Sequence, residues 1–104
     1  MRRVLIGDVV AAAQLLATAD APQRAALAQS LIAQADAAHR YMKRYGRAHP
    51  KWGIGTLEAR ARGQLSAPQI GFDLADARIL DALAILAAAL LARSLAAHAP
   101  HVLR

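Results

Sequence analysis

A chain of 104 residues with 13 Lys+Arg against 7 Asp+Glu, a formal charge of +6, has room for one domain and a modest core. Ala supplies 28 residues of a sequence that is 57% hydrophobic, whereas Val, Ile and the aromatics are scarce; this argues against a β-rich fold and predicts an all-α protein. The absence of Cys removes disulfide scaffolds, cysteine zinc sites, iron–sulfur centres and thiol nucleophiles.

The opening MRRVLIGDVVAAAQLLATADA has the arginines, apolar run and small residues of a secretory leader. Asp8 and Gln14 interrupt that run, and a leader's apolar region is free of charge. Asp8 instead predicts the cap of a short helix ending near Thr18. Asp20-Ala21-Pro22-Gln23 then supplies an N-cap, a first-turn proline and a capping-box Gln. A second helix should run to about Tyr45, where Gly46 takes the left-handed C-terminal position. The short link between the two predicts an antiparallel hairpin over 8–45. Residues 46–56, GRAHPKWGIGT, read as an ordered loop, after which Thr56 caps a short helix through about Arg62. The loop GQLSAPQIGF leads to Asp73, the expected cap of a last helix of about 25 residues ending before Pro100. The expected organisation is one helical domain over 1–104. Within it, 8–45 is an oligomerisation hairpin, 46–72 a basic loop with a short helix, and 73–104 an apolar helix and tail.

At 100° per residue, Leu27, Leu31, Ala35, Ala38, Met42 and Tyr45 share one face of the second helix, at alternating spacings of three and four. That is a coiled-coil-like seam of small and large residues. The last helix is apolar all round. Ile79, Leu83, Leu86 and Leu90 share one face, Leu80, Ile85, Leu91 and Leu95 populate the others, and Asp81 is the only polar residue between Ile79 and Ala92. Such a helix is either the centre of a compact bundle or buried against other subunits, and an isolated copy exposes an apolar patch. A homo-oligomer is therefore expected, with Leu27, Leu31, Ala35, Ala38, Met42, Leu83, Leu86 and Leu90 at its contacts. The uncharged stretch 82–92 falls short of the ~20 residues that cross a bilayer. A soluble, cytoplasmic chain without a membrane partner is expected.

Catalytic groups are few. Ser30, Ser66 and Ser94 have no G-x-S-x-G setting. Asp73 and Asp76 lie at a predicted helix start, where capping explains both. His98 and His101 flank Pro100 with no carboxylate or Cys beside them. Gly53-Ile54-Gly55 lacks the preceding strand and the Gly-Lys-Ser/Thr ending of a phosphate loop. No catalytic residue, cofactor or metal is expected, and the chain reads as a non-enzyme.

Segment 37–57, AAHRYMKRYGRAHPKWGIGTL, carries the strongest functional signal. It holds Arg40, Lys43, Arg44, Arg47 and Lys51, His39 and His49, and no acidic residue. Arg40, Lys43, Arg44 and, if the helix reaches it, Arg47 fall within about 100° of arc opposite the seam, and Lys51 extends the cluster through the loop. Tyr41, Tyr45 and Trp52 interleave with these charges. Clustered cations bind phosphate whatever the base sequence, and aromatics can stack on exposed bases. The competing readings are a solvated helix face for the cations and packing roles for the aromatics. At the other end, the apolar, basic tail ARSLAAHAPHVLR, with Leu95, Val102 and Leu103, suits a docking peptide.

Three stretches resemble the small-terminase-like proteins of alphaproteobacterial gene transfer agents: MRRVLIGDVVAAAQLL, the Asp20-Ala-Pro-Gln helix start, and RYGRAHPKWGIGTLEA at 44–59. The resemblance implies a non-catalytic, phage-derived DNA-packaging adaptor that forms a helical oligomer, with a ring as the implied form. It also implies DNA and the large terminase, the ATP-driven nuclease and motor, as partners. The chain departs from tailed-phage small terminases because its 20-residue lead is too short for a separate helix-turn-helix domain. DNA binding should then be weak and nonspecific, since phosphate contacts carry no sequence information. Two alternatives remain: a nucleic-acid-independent module whose basic face meets an acidic protein, and a small DNA-binding regulator.

Overall fold

The computed structural model describes residues 1–64 and 70–97. Helix α1 spans Ile6–Thr18, a 3-10 turn at Ala21–Gln23 leads into α2 at Arg24–Tyr45, α3 covers Leu57–Arg62 and α4 covers Ala77–Ala97. The fold is all-α, and the one β-type pairing among the described residues is an isolated bridge between His49 and Gly53.

Some helix ends follow from local side-chain chemistry. Thr56 Oγ1 accepts the Ala59 amide at 3.1 Å, which starts α3. Gly46 takes φ 69° and donates its N–H to the Met42 carbonyl at 2.8 Å, which ends α2. Others depart from expectation. α1 begins before Asp8, which sits in its first turn rather than capping it. The Asp8 carboxylate accepts the Leu5 amide at 2.7 Å and, across the molecule, the Glu58 amide at 2.8 Å. One buried acid thus satisfies amides at the N-termini of both α1 and α3. Asp20 makes no side-chain cap, because the 3-10 turn at Pro22 intervenes before α2. α4 starts at Ala77, not Asp73. Asp73 closes its own turn onto the Ala75 amide at 2.9 Å, and Asp76 then accepts the Arg78 amide at 2.9 Å.

α1 and α2 run antiparallel. The Met1 ammonium pairs with Asp36 and Arg2 lies on Met42, whereas the end of α1 meets Arg24 at the start of α2. The central helix is α1, which packs mainly against α3 and α4. Ala11, Ala12, Ala13 and Ala17 let its neighbours approach closely, and Leu16 locks with Leu31, Leu57, Ile79 and Leu86 as the largest fully buried side chains. Each of these contributes about 2 kcal/mol of burial.

α4 is therefore not the central helix. Ile79, Ala82 and Leu86 are buried, but Leu80, Leu91 and Leu95 are 50%, 59% and 63% exposed. Among the described residues, no further layer covers the side of α4 that carries Leu80, Leu91 and Leu95. By length and composition alone this helix is apolar enough to cross a membrane, with a mean hydropathy of 2.0 over its best window.

The expected inter-subunit seam also needs correction. Leu31, Ala35, Ala38 and Leu86 are buried within one copy, and Leu27, Leu83 and Leu90 pack at the edge of the same core. Met42 is half-buried beside Arg2. The helical spacing was right, but the partner of these faces is the chain itself.

Candidate nucleic-acid interface

The cationic segment begins in the last turns of α2. Lys43 and Arg44 occupy its final turn, where positive charge also suits the helix dipole. Arg40, one turn earlier, is 71% exposed and pairs with Asp36 at 3.2 Å. Arg47 does not share the helical face, because Gly46 turns the chain before it. Lys51 is exposed in the loop beyond.

That loop is tightly built. His49 and Gly53 exchange backbone hydrogen bonds at 2.8 and 3.1 Å. The His49 Nδ1 accepts the amides of Lys51 and Trp52 at 3.0 and 3.1 Å, which folds Pro50 and Lys51 into a compact tip. Trp52 stacks on the His49 ring at 4.7 Å and 9°, and Tyr41 meets the other part of that ring edge-on at 4.8 Å. Tyr41 in turn contacts Tyr45 at 4.6 Å, and the Arg44 guanidinium lies 5.7 Å from the Tyr45 ring centre. The aromatics thus fasten the loop to the exposed side of α2. Tyr45 shares the angular position of the seam but is itself exposed.

Gly55 fixes the far end of the loop. Its φ is +91°, and a Cβ placed there would lie 2.6 Å from the His39 Cα. His39 is covered by this contact, and its Nδ1 has no partner among the described residues. Burial, then the Met1 ammonium, Lys43 and Arg2, hold its pKa below the ordinary histidine value. Asp36 is shifted in the same direction for a different reason, because its charged form is favoured. The hydrogen bond from the Met1 ammonium, reinforced by the charges of that ammonium, Arg93 and Arg40, lowers its pKa against the effect of burial.

One further member joins the cluster without a local sequence signal, Arg2. Arg2 donates its amide to the Gly55 carbonyl at 3.1 Å and rests its guanidinium 3.3 Å from the Met42 sulfur, which brings it to the basic end of α2. Arg2 and Arg3 line a cleft of about 530 Å³ with Leu5, Ile6, Thr56 and Glu58. Their position beside an apolar run reads as a leader, and the backbone bond to Gly55 has no local sequence signal.

Among the described residues, Arg2, Arg3, Lys43, Arg44, Arg47 and Lys51 stand in no ion pair, whereas Arg40 shares Asp36 with Arg93 and the Met1 ammonium. The arrangement can neutralise a polyanion. No group of three metal-ligating His, Asp or Glu side chains converges among the described residues. Of the proposed docking residues, Leu95 is exposed on α4, while Val102 and Leu103, like His98, His101 and Ser66, lie outside the described residues.

The chain belongs to a family described as a domain of unknown function, DUF7742, whose profile matches residues 2–99. Comparison with curated proteins and with solved structures gave no match.

Proposed function

We propose that this DUF7742 protein is a non-catalytic DNA-packaging adaptor of the gene transfer agent small-terminase kind, which binds DNA weakly through its phosphates and engages a large terminase as a homo-oligomer. The observation that carries the reading is the uncompensated charge at one end of the fold. Lys43 and Arg44 end α2, Arg47 and Lys51 lie exposed in the segment that follows, and Arg2 reaches the same end of α2 through a backbone bond to Gly55 rather than through an acid. Unpaired cations keep their full attraction for phosphate, because no resident carboxylate has to be displaced first. A short loop tip and the last turn of a helix reach a backbone but present no helix to read a groove, so base sequence should matter little. The exposed rings of Tyr45 and its neighbours are already engaged with one another, which assigns them to holding the loop.

Retention on a DNA column at low salt tests this. The parent chain should bind and elute with rising salt, and Arg40, Lys43, Arg44 and Arg47 all replaced by Glu should pass through with its helical spectrum intact. Equal retention of the fourfold variant would remove this surface as the DNA site. Retention of duplex by the parent is also the outcome that separates this reading from an acidic-protein module, which would hold no duplex.

A further inference from the structure

The outer face of α4 carries exposed apolar residues whose spacing has twofold symmetry. Leu80, Ala84, Ala87, Ala88, Leu91 and Leu95 fall within about 100° of arc. All are exposed. They also form mirrored pairs about the point between Ala87 and Ala88: 87 with 88, 84 with 91, and 80 with 95. We infer that α4 pairs with α4 of a second copy of this chain, antiparallel, about a twofold axis at Ala87–Ala88. The two alanines at the axis allow the backbones to approach to about 8 Å. Each Ala84 then receives the Leu91 of the other copy, and Leu80 packs against the other copy's Leu95. An isologous contact requires such self-complementarity, since the same patch must serve both sides.

Charge leaves this strip as the face on which a second copy meets the least repulsion. The chain carries +6, so two copies repel over most approaches. The strip itself contains no charged residue. Its flanking ions are held elsewhere: Asp81 by Arg24 at 2.6 Å and Arg93 by Asp36 at 3.2 Å. Those pairs, with Ile79, Ala82 and Leu86 in the core, also fix α4 to the body of the molecule. Area sets the strength. The fifteen rises of helix between Leu80 and Leu95 make a strip about 22 Å long and about 10 Å wide. That is well short of the about 800 Å² per partner of a standard stable interface, so the pair is reversible. This contact is separate from the basic end and stands whether or not that end binds DNA.

The absence of native Cys makes single-cysteine crosslinking a clean test. Ala87→Cys lies at the axis and should form a disulfide dimer on mild oxidation. Leu95→Cys should not crosslink to itself, because its two copies lie about 22 Å apart along the antiparallel pair. A mixture of Leu80→Cys and Leu95→Cys chains should crosslink. In sedimentation, the parent should show a concentration-dependent dimer at about 100 μM, and Leu91→Glu should weaken it at least about tenfold without loss of helical signal. Ready self-crosslinking of Leu95→Cys would make the pairing parallel and overturn the inference. So would a strictly monomeric parent, a fixed higher oligomer unaffected by Leu91→Glu, or flotation of a monomeric parent with phosphatidylcholine vesicles that Leu91→Glu abolishes.

Discussion

Arg24 of α2 donates to the Asp81 carboxylate of α4 across 2.6 Å while its Nε reaches the Leu16 and Ala19 carbonyls at 3.1 and 3.2 Å. One buried guanidinium therefore closes the end of α1, anchors the start of α2 and holds α4.

Removal of that guanidinium should be among the most damaging polar changes in the fold. Arg24→Met removes the Nε donor from the Ala19 carbonyl and one of two donors from the Leu16 carbonyl, and should cost about 3 kcal/mol. Asp81→Asn keeps a hydrogen-bond acceptor at a half-exposed position and should cost about 1 kcal/mol or less. Urea titrations followed by helical circular dichroism give both values from the midpoints. A smaller loss for Arg24→Met than for Asp81→Asn would show that the α1 carbonyls do not depend on Arg24.

Gly55 and Gly46 both have positive φ but differ in what surrounds them. A methyl group at Gly46 meets nothing within 4 Å, so Gly46→Ala should cost about 1 kcal/mol of backbone strain. At Gly55 the same methyl would overlap the His39 backbone, adding overpacking to strain for a total of about 3 kcal/mol. Equal costs at the two positions would mean that the loop lifts from α2 without penalty.

Asp36 gives a pH signature. Its folded pKa lies below the ordinary value of 3.8, so the folded state holds its proton less tightly than the unfolded chain. The stability it supplies is complete above 3.8 and is lost as pH falls through the lowered folded value. Asp36→Asn should therefore be less stable than the parent at pH 7, and the two should converge in the most acidic part of an unfolding series. A gap that persists unchanged into strong acid would place the contribution in packing rather than in the carboxylate's ion pairs.

Salt dependence measures how many cations of the basic end touch phosphate. Three contacts per copy predict a slope of log K against log salt of about −3. Replacing Arg2 and Arg3 by Ala should reduce that slope by about one to two if both belong to the surface. An unchanged slope would confine the contacts to α2 and its loop. Trp52→Ala should weaken binding only through a loosened loop, visible as a lower melting temperature with the slope retained.

The signals legible in sequence were those that a few neighbouring residues decide. Thr56 with Ala59, and Gly46 with Met42, are separated by three or four positions, and both helix ends fall where their chemistry places them. The α2 seam was legible as a periodicity, but periodicity names a buried face without naming what buries it. Asp8 was misread because one of its partners is the Glu58 amide, fifty positions away. For α4, hydrophobicity predicts either the centre of a bundle or burial against other subunits, and within the chain the alanines of α1 allow closer packing and take the central place. The basic cluster was visible as composition, whereas the addition of Arg2 depends on a backbone bond to a loop glycine. Its proposed role with DNA rests on that cluster and on the resemblance, and the experiments above address the role directly.

The central position of α1 bears on the order in which the chain can fold. This helix leaves the ribosome before the other three, but its main packing partners are α3 and α4, which follow α2. Its alanine face stays without cover through most of synthesis, and the bonds Asp8–Glu58 and Arg24–Asp81 close only after 50 and 57 further residues have appeared. Closing loops of that length before any core forms slows folding relative to helical proteins with mostly local contacts. A nascent chain stalled before α4 should therefore remain open to proteases, and protection should arrive in one late step once Leu86 can reach Leu16.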